Sequence, residues 1–168
     1  MRKSVEVVGL GMLVVLYYIT WSALLGPDPL PDRIPTHFDI SGNPNAWGSS
    51  RLLMLLPVIA TGLYLLMTIL GSIRTARYNL PVRVTDANLP FIQARTAEMV
   101  SWLKLEFLCL MTYVQWTIIQ AARSHEFRFS PAMIPVFLVI VFATAGWHLV
   151  AILRGAKARE DSNQPDRI

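Results

Sequence analysis

The sequence predicts an all-α integral membrane protein, a bundle of four transmembrane helices with an ordered, extended extracytoplasmic lid between helices 1 and 2. Three observations carry this. Of 168 residues, 54% are hydrophobic and only 15% charged, with a mean hydropathy of +0.44, more apolar than a soluble domain of this length needs. Four apolar runs are each long enough to cross about 30 Å of hydrocarbon as a helix. Lysine and arginine are distributed unequally between the two sides that such a bundle would have.

The predicted spans are residues 7–25, 52–70, 99–122 and 132–153, and the connections are too short and polar for a second domain, so 1–168 reads as one membrane domain. The first run follows Met1-Arg2-Lys3 but is longer than a signal-peptide core, and no small-x-small site precedes Gly26. A retained first helix is therefore expected. With four spans, both termini, the loop 71–98 and the tail 154–168 share a side that carries ten Lys and Arg residues: Arg2, Lys3, Arg74, Arg77, Arg83, Arg95, Arg154, Lys157, Arg159 and Arg167. The opposite side carries four, Arg33, Arg51, Arg123 and Arg128. The bias predicts a multi-pass protein of the bacterial cytoplasmic (inner) membrane with both termini cytoplasmic. The net charge of +4 then reflects membrane lipid as a partner, and no basic patch interleaved with aromatics points to nucleic acid.

The outer segment 26–51 is the most conformationally restricted part of the chain. Pro27, Pro29, Pro31 and Pro35 exclude a helix and favour extended backbone. Beyond Pro35 the residues alternate: Ile34, Phe38 and Ile40 are expected to face the bundle, and His37, Asp39 and Ser41 the outside. Gly42-Asn43-Pro44-Asn45 reads as a turn, Trp47 suits the headgroup boundary, and Ser50 is expected to cap the second helix.

The run Leu30-Pro31-Asp32-Arg33-Ile34-Pro35-Thr36-His37-Phe38, followed by Gly42 and by Trp47-Gly48-Ser49, resembles the signature of a bacterial membrane domain of unknown function found in SdpI-type toxin-immunity proteins. A weaker resemblance runs from Leu80-Pro81-Val82 through Arg95 and Trp102–Glu106 to Tyr113-Val114-Gln115-Trp116. The resemblance implies membrane location and, as the family's known example, toxin immunity. Fold follows from such a likeness better than function does.

Ionisable residues within spans are the strongest site signal. Lys104 and Glu106 lie about 8 and 11 Å into the third span and His148 about 8 Å into the fourth. They form a predicted intramembrane polar cluster, in which one of Lys104 and Glu106 meets His148 and the other Glu6 or headgroups, binding a lipid headgroup or relaying a proton. The plainer expectation has Lys104 reaching to the cytoplasmic surface, Glu106 protonated or hydrogen-bonded within the bundle, and His148 packed. On the lid, His37, Phe38, Asp39 and Asp32 are the predicted ligand-binding residues. His37 with Asp28, Asp32 and Asp39 offers metal-type ligands, but the spacing matches no zinc motif, so no metal is expected and His37 is read as a hydrogen-bonding staple.

No catalytic residue is expected: there is no Gly-x-Ser-x-Gly elbow, phosphate-binding glycine loop or His-Glu-x-x-His pattern. No cofactor is expected either, since His37 and His125 are placed in loops and no histidine pair faces across the bundle at one depth. Cys109, the single cysteine, allows no internal disulfide and reads as a packing residue. The sequence thus predicts a non-enzymatic membrane protein that binds a peptide, lipid or protein partner through its outer lid. A small accessory subunit of a larger membrane complex is one alternative, and a proton-coupled carrier using Glu106, Lys104 and His148 another.

Overall fold

The computed structural model describes residues 2–73, 81–124 and 130–161. It is mostly helical, with α1 (Arg2–Leu25), a hairpin of β1 (Arg33–Phe38) and β2 (Pro44–Ser49), a 3-10 turn (Ser50–Met54), α2 (Leu55–Ser72), α3 (Leu89–Arg123) and α4 (Met133–Asp161). The expectations for Arg74, Arg77, His125, Arg128, Arg167 and the tail beyond Asp161 fall outside the described residues.

α3 is the axis of the bundle. It packs against α1, α2 and α4, and α4 rests chiefly on α3. Its buried residues Ala97, Ser101, Lys104, Leu108, Gln115 and Ile119 recur at helical spacing, which makes one continuous inner face. Three apolar clusters lie along it. Ile92 with Ile152 and Ala156 joins α3 to α4; Leu108 with Leu16 and Ala60 joins it to α1 and α2; Ile119 with Ala23, Ile34 and Leu53 joins it to the hairpin.

The polarity of this bundle is inverted relative to a soluble one. Thr20, Ser101, Lys104, Gln115, Thr117 and His148 are buried, while Val7, Val14, Tyr18, Leu65, Ile69, Val139, Phe142 and Trp147 are exposed. Water would penalise that exterior; hydrocarbon favours it and demands that polar side chains find partners inside. Among the described residues, three helical stretches are long and apolar enough to cross a membrane: Arg2–Leu25, Ser50–Ser72 and Met133–Asp161. α3 falls short on composition because the polar residues that hold the others together sit on it.

Element ends depart from the expected spans. α3 starts at Leu89 rather than near residue 99, and the amphipathic turns up to Glu98 are helical. Asn88 immediately precedes it: Nδ2 donates to the carbonyls of Arg83 (2.9 Å) and Ala156 (3.4 Å), and Oδ1 accepts from the Thr85 N–H (2.8 Å), tying the preceding connection to α4. Ser49 rather than Ser50 supplies the cap, its Oγ accepting from the Arg51 N–H at 3.3 Å, because the chain first makes a 3-10 turn. Cys109 is exposed instead of packed inside.

Near the end of α4, Gly155 allows a close approach: a Cβ there would lie 2.3 Å from Cζ of Phe91. The Phe91 ring in turn carries the Arg159 guanidinium 3.8 Å from its centroid. Gly155→Ala is expected to push α4 off α3 and destabilise the fold by about 1–3 kcal/mol, read as a lower temperature for loss of monodisperse protein in detergent; an unchanged temperature would show that the ring moves aside freely.

Candidate functional site

Three places gather polar groups. The first is the hairpin, an antiparallel pair in which Ile34 opposes Gly48, Pro35 opposes Trp47 and Phe38 opposes Pro44. The register slips at Thr36 and again at Asn45, so each strand carries one extra residue; Pro35, which has no N–H to give, sits beside the first slip. Ile34 and Pro35 are buried against the helices. Ile40 does not continue that apolar edge: it is 92% exposed, because the strand ends at Phe38 and the chain turns away. β2 was not evident as a strand, since Pro44, Asn45 and Gly48 all disfavour one.

The turn is built around Asp39. Its Oδ1 accepts from the N–H groups of Ser41 and Asn43, both at 2.9 Å, and its backbone N–H donates to Asn43 O at 2.8 Å. Gly42 takes φ 82°, a left-handed conformation that favours glycine. These donors, the Asn43 N–H foremost, hold the Asp39 carboxyl below the usual carboxylate range. Because the folded value is the lower one, this contribution is complete above the unfolded pKa of about 3.9 and disappears as pH falls through the folded value. Turn protection against amide exchange is therefore expected to weaken below about pH 4, and Asp39→Asn should remove that dependence; an acid-insensitive wild-type turn would contradict it.

Of the other predicted lid residues, His37 is exposed, with Nδ1 2.5 Å from Asn45 Oδ1, so it links the two strands. Phe38 is half-buried, and Asp32 is exposed with its carbonyl accepting from the Ser50 N–H at 2.9 Å. Asp39 serves the turn, and no three His, Cys, Asp or Glu side chains come together among the described residues.

Behind the hairpin lies a groove of about 280 Å³, lined chiefly by Ile34, Pro35, Leu52, Leu56, Gln115 and Ile118. Gln115 is fully buried. Its Nε2 donates to Thr20 Oγ1 (2.7 Å) and to the Leu53 carbonyl (3.0 Å), which orients the amide, and its Oε1 has no partner among the described residues. Sequence reading passed over Gln115; its place on the same helical stripe as Ser101, Lys104 and Leu108 was the available signal.

The second place is a polar knot toward the other end of the bundle. Lys104 Nζ donates to Glu6 Oε2 at 2.6 Å and to Thr68 Oγ1 at 2.9 Å, and lies 4.2 Å from the centroid of the Tyr64 ring. Ser101 Oγ donates to Glu6 Oε1 at 2.6 Å, and Tyr64 OH to Oε2 at 3.3 Å. Helices α1, α2 and α3 meet here. Lys104 does not reach to the surface as the plainer expectation had it: its side chain is 3% exposed, because an ion pair within reach replaces hydration.

The third place is the seam of α3 and α4. Thr144 Oγ1 donates to Glu106 Oε1 at 2.6 Å, while the buried Oε2 has no partner among the described residues. His148, one turn from Thr144, lines a cleft of about 500 Å³ with Arg95, Glu98, Trp102 and Trp147. The polar residues divide between two neighbours, with Lys104 paired to Glu6 and Glu106 bonded to Thr144. Lys104 turns to α1 and α2, Glu106 and His148 belong to the α4 side, and the separation follows from the roughly 200° between positions two apart on a helix.

A comparison with known families finds a match to a domain of unknown function (DUF1648) over residues 12–61, the stretch that holds most of α1, the hairpin and the first turns of α2. No curated protein and no solved structure matches the chain.

Proposed function

We propose that the chain is a non-enzymatic, multi-pass protein of the bacterial inner membrane that captures a peptide segment of a partner at its hairpin. In this reading α3 also crosses the bilayer, which makes four spans in all, both termini are cytoplasmic and the hairpin is the outer lid. The carrying observation is the groove behind the hairpin, apolar along its walls and bordered by a buried amide, Gln115, whose oxygen has no donor among the described residues. A peptide supplies what such a groove lacks: apolar side chains for the walls and an N–H for the oxygen. The hairpin adds exposed recognition groups at the rim, Asp32, Arg33 and His37, on a base fixed by Ile34 and Pro35. The match over residues 12–61 supports this emphasis, because it covers this part of the bundle. Toxin immunity, which the resemblance to SdpI-type proteins implies, is one role that such capture would serve.

The test is a photo-crosslinking amino acid at Leu56 in the groove, with Val139 on the exposed face of α4 as the lipid-facing control. Cells are expected to yield a defined peptide or protein adduct from position 56, absent from 139 and reduced by Gln115→Leu. Lipid adducts alone, or equal adducts at both positions, would contradict the reading.

A further inference from the structure

The α3–α4 cleft has features that partner capture at the hairpin does not use. Arg95, Glu98 and Trp102 come from α3; Ala143, Thr144, Trp147 and His148 come from α4. His148 is only 8% exposed, yet it borders the cleft and its ring has no hydrogen-bond partner among the described residues. A buried imidazole beside open space can give or accept a hydrogen bond there, according to its tautomer. At the rim, Arg95 Nη1 holds Glu98 Oε2 at 2.9 Å, with side chains 45% and 14% exposed. The site therefore presents a cation, an anion, an imidazole and two indoles around about 500 Å³.

We propose that this cleft binds a zwitterionic phospholipid headgroup carrying a primary ammonium, of the phosphatidylethanolamine type. The phosphodiester takes the Arg95 guanidinium and the His148 ring, and the ammonium takes Glu98, so the ligand inserts both of its charges into an existing pair of opposite charges. A headgroup with only negative charge would leave Glu98 opposed by the phosphate, and a quaternary ammonium would give Glu98 no N–H to accept. Trp102 and Trp147 flank the cleft, in keeping with indoles at the level of headgroups. A bilayer lipid is the source rather than a free phosphate ester, because an exposed apolar row on α4, Trp147, Ile140 and Val136, leads away from the cleft and offers the acyl chains a path. The inference assumes only that the bundle lies in a bilayer; it does not depend on what the hairpin binds.

The experiment uses the full chain in nanodiscs of equal phosphatidylethanolamine and phosphatidylglycerol, released into a mass spectrometer so that retained lipids are counted. The wild type is expected to retain the ethanolamine lipid about fivefold over its share of the bilayer, a preference within reach of one or two charged contacts. The doubly substituted Arg95→Ala/His148→Ala protein should lose that preference, and Glu98→Gln should keep lipid but lose the choice between headgroups. His148→Gln guards against a folding defect, because it retains a donor in the cleft and should bind at an intermediate level. Retention at the bulk ratio, or a preference unchanged in all three variants, would overturn the site while leaving the bilayer placement intact. Displacement of the lipid by soluble phosphoethanolamine would overturn the bilayer as source, and failure of the chain to enter nanodiscs would overturn both.

Discussion

Lys104→Met is expected to destabilise the bundle by about 3 kcal/mol, the low end of the range for removing one partner of a buried ion pair. The low end applies because the Glu6 side chain stays 25% exposed and keeps Ser101 and Tyr64 as donors. The loss has two parts. The Glu6 carboxyl loses its ammonium partner at the junction of α1 and α3, and Thr68 on α2 loses the donor that ties it to α3. Combining Lys104→Met with Glu6→Gln should recover most of the loss, because no uncompensated charge then remains and the methionine fills much of the lysine's volume. Unfolding by a graded anionic detergent, followed by loss of the helical signal, measures all three variants. Equal stabilities for Lys104→Met and the double variant would show that the pair is not what holds these helices.

The second large effect is expected at Ile34. It is 2% exposed and lies with Ala23, Leu53 and Ile119 at the point where the hairpin meets α1 and α3. Ile34→Ala should cost about 2–4 kcal/mol through lost burial and the cavity left behind. The effect should be local, since this cluster joins β1 to the helices: protease sensitivity should rise within 33–49 while the helical signal stays. Adduct formation from the groove at Leu56 should fall with it, because Ile34 forms one wall. A hairpin that becomes sensitive while the groove adduct persists would separate recognition from the hairpin.

The four helices were legible because each contains a long apolar run, and here many of the apolar residues are on the outside. What hydropathy alone hid were the stretches that are helical but polar. The first turns of α3 contain Gln93, Arg95 and Glu98 and read as loop, although Pro90 near the start is a usual helix-opening residue. The hairpin was half legible. Alternation exposed β1 and the glycine exposed the turn, but β2 contains a proline, an asparagine and a glycine and is held by pairing with β1 rather than by its own propensity.

The polar sites show the same division. Lys104, Glu106 and His148 stood out because charges are costly in hydrocarbon, and Glu6 was within view as a partner for one of them. Which residue meets which was not legible, because depth along a helix is readable from sequence but the direction of a side chain around its axis depends on the neighbours. Gln115 and Asn88 were not singled out as site residues for a different reason. Neither is charged, and both satisfy backbone carbonyls that only the assembled fold brings near.

The arrangement in the membrane is tested most directly by labelling single cysteines, in a chain with Cys109 changed to alanine, using a membrane-impermeant maleimide on intact spheroplasts. Positions Ser41 in the hairpin turn, Thr85 before α3 and Glu160 near the end of α4 suffice. Four spans with an outer hairpin predict immediate labelling at 41, and labelling at 85 and 160 only after permeabilisation. Labelling at 160 on the same side as 41, with 85 protected, would mean that α3 does not cross and would contradict the four-span bundle on which the hairpin's role rests.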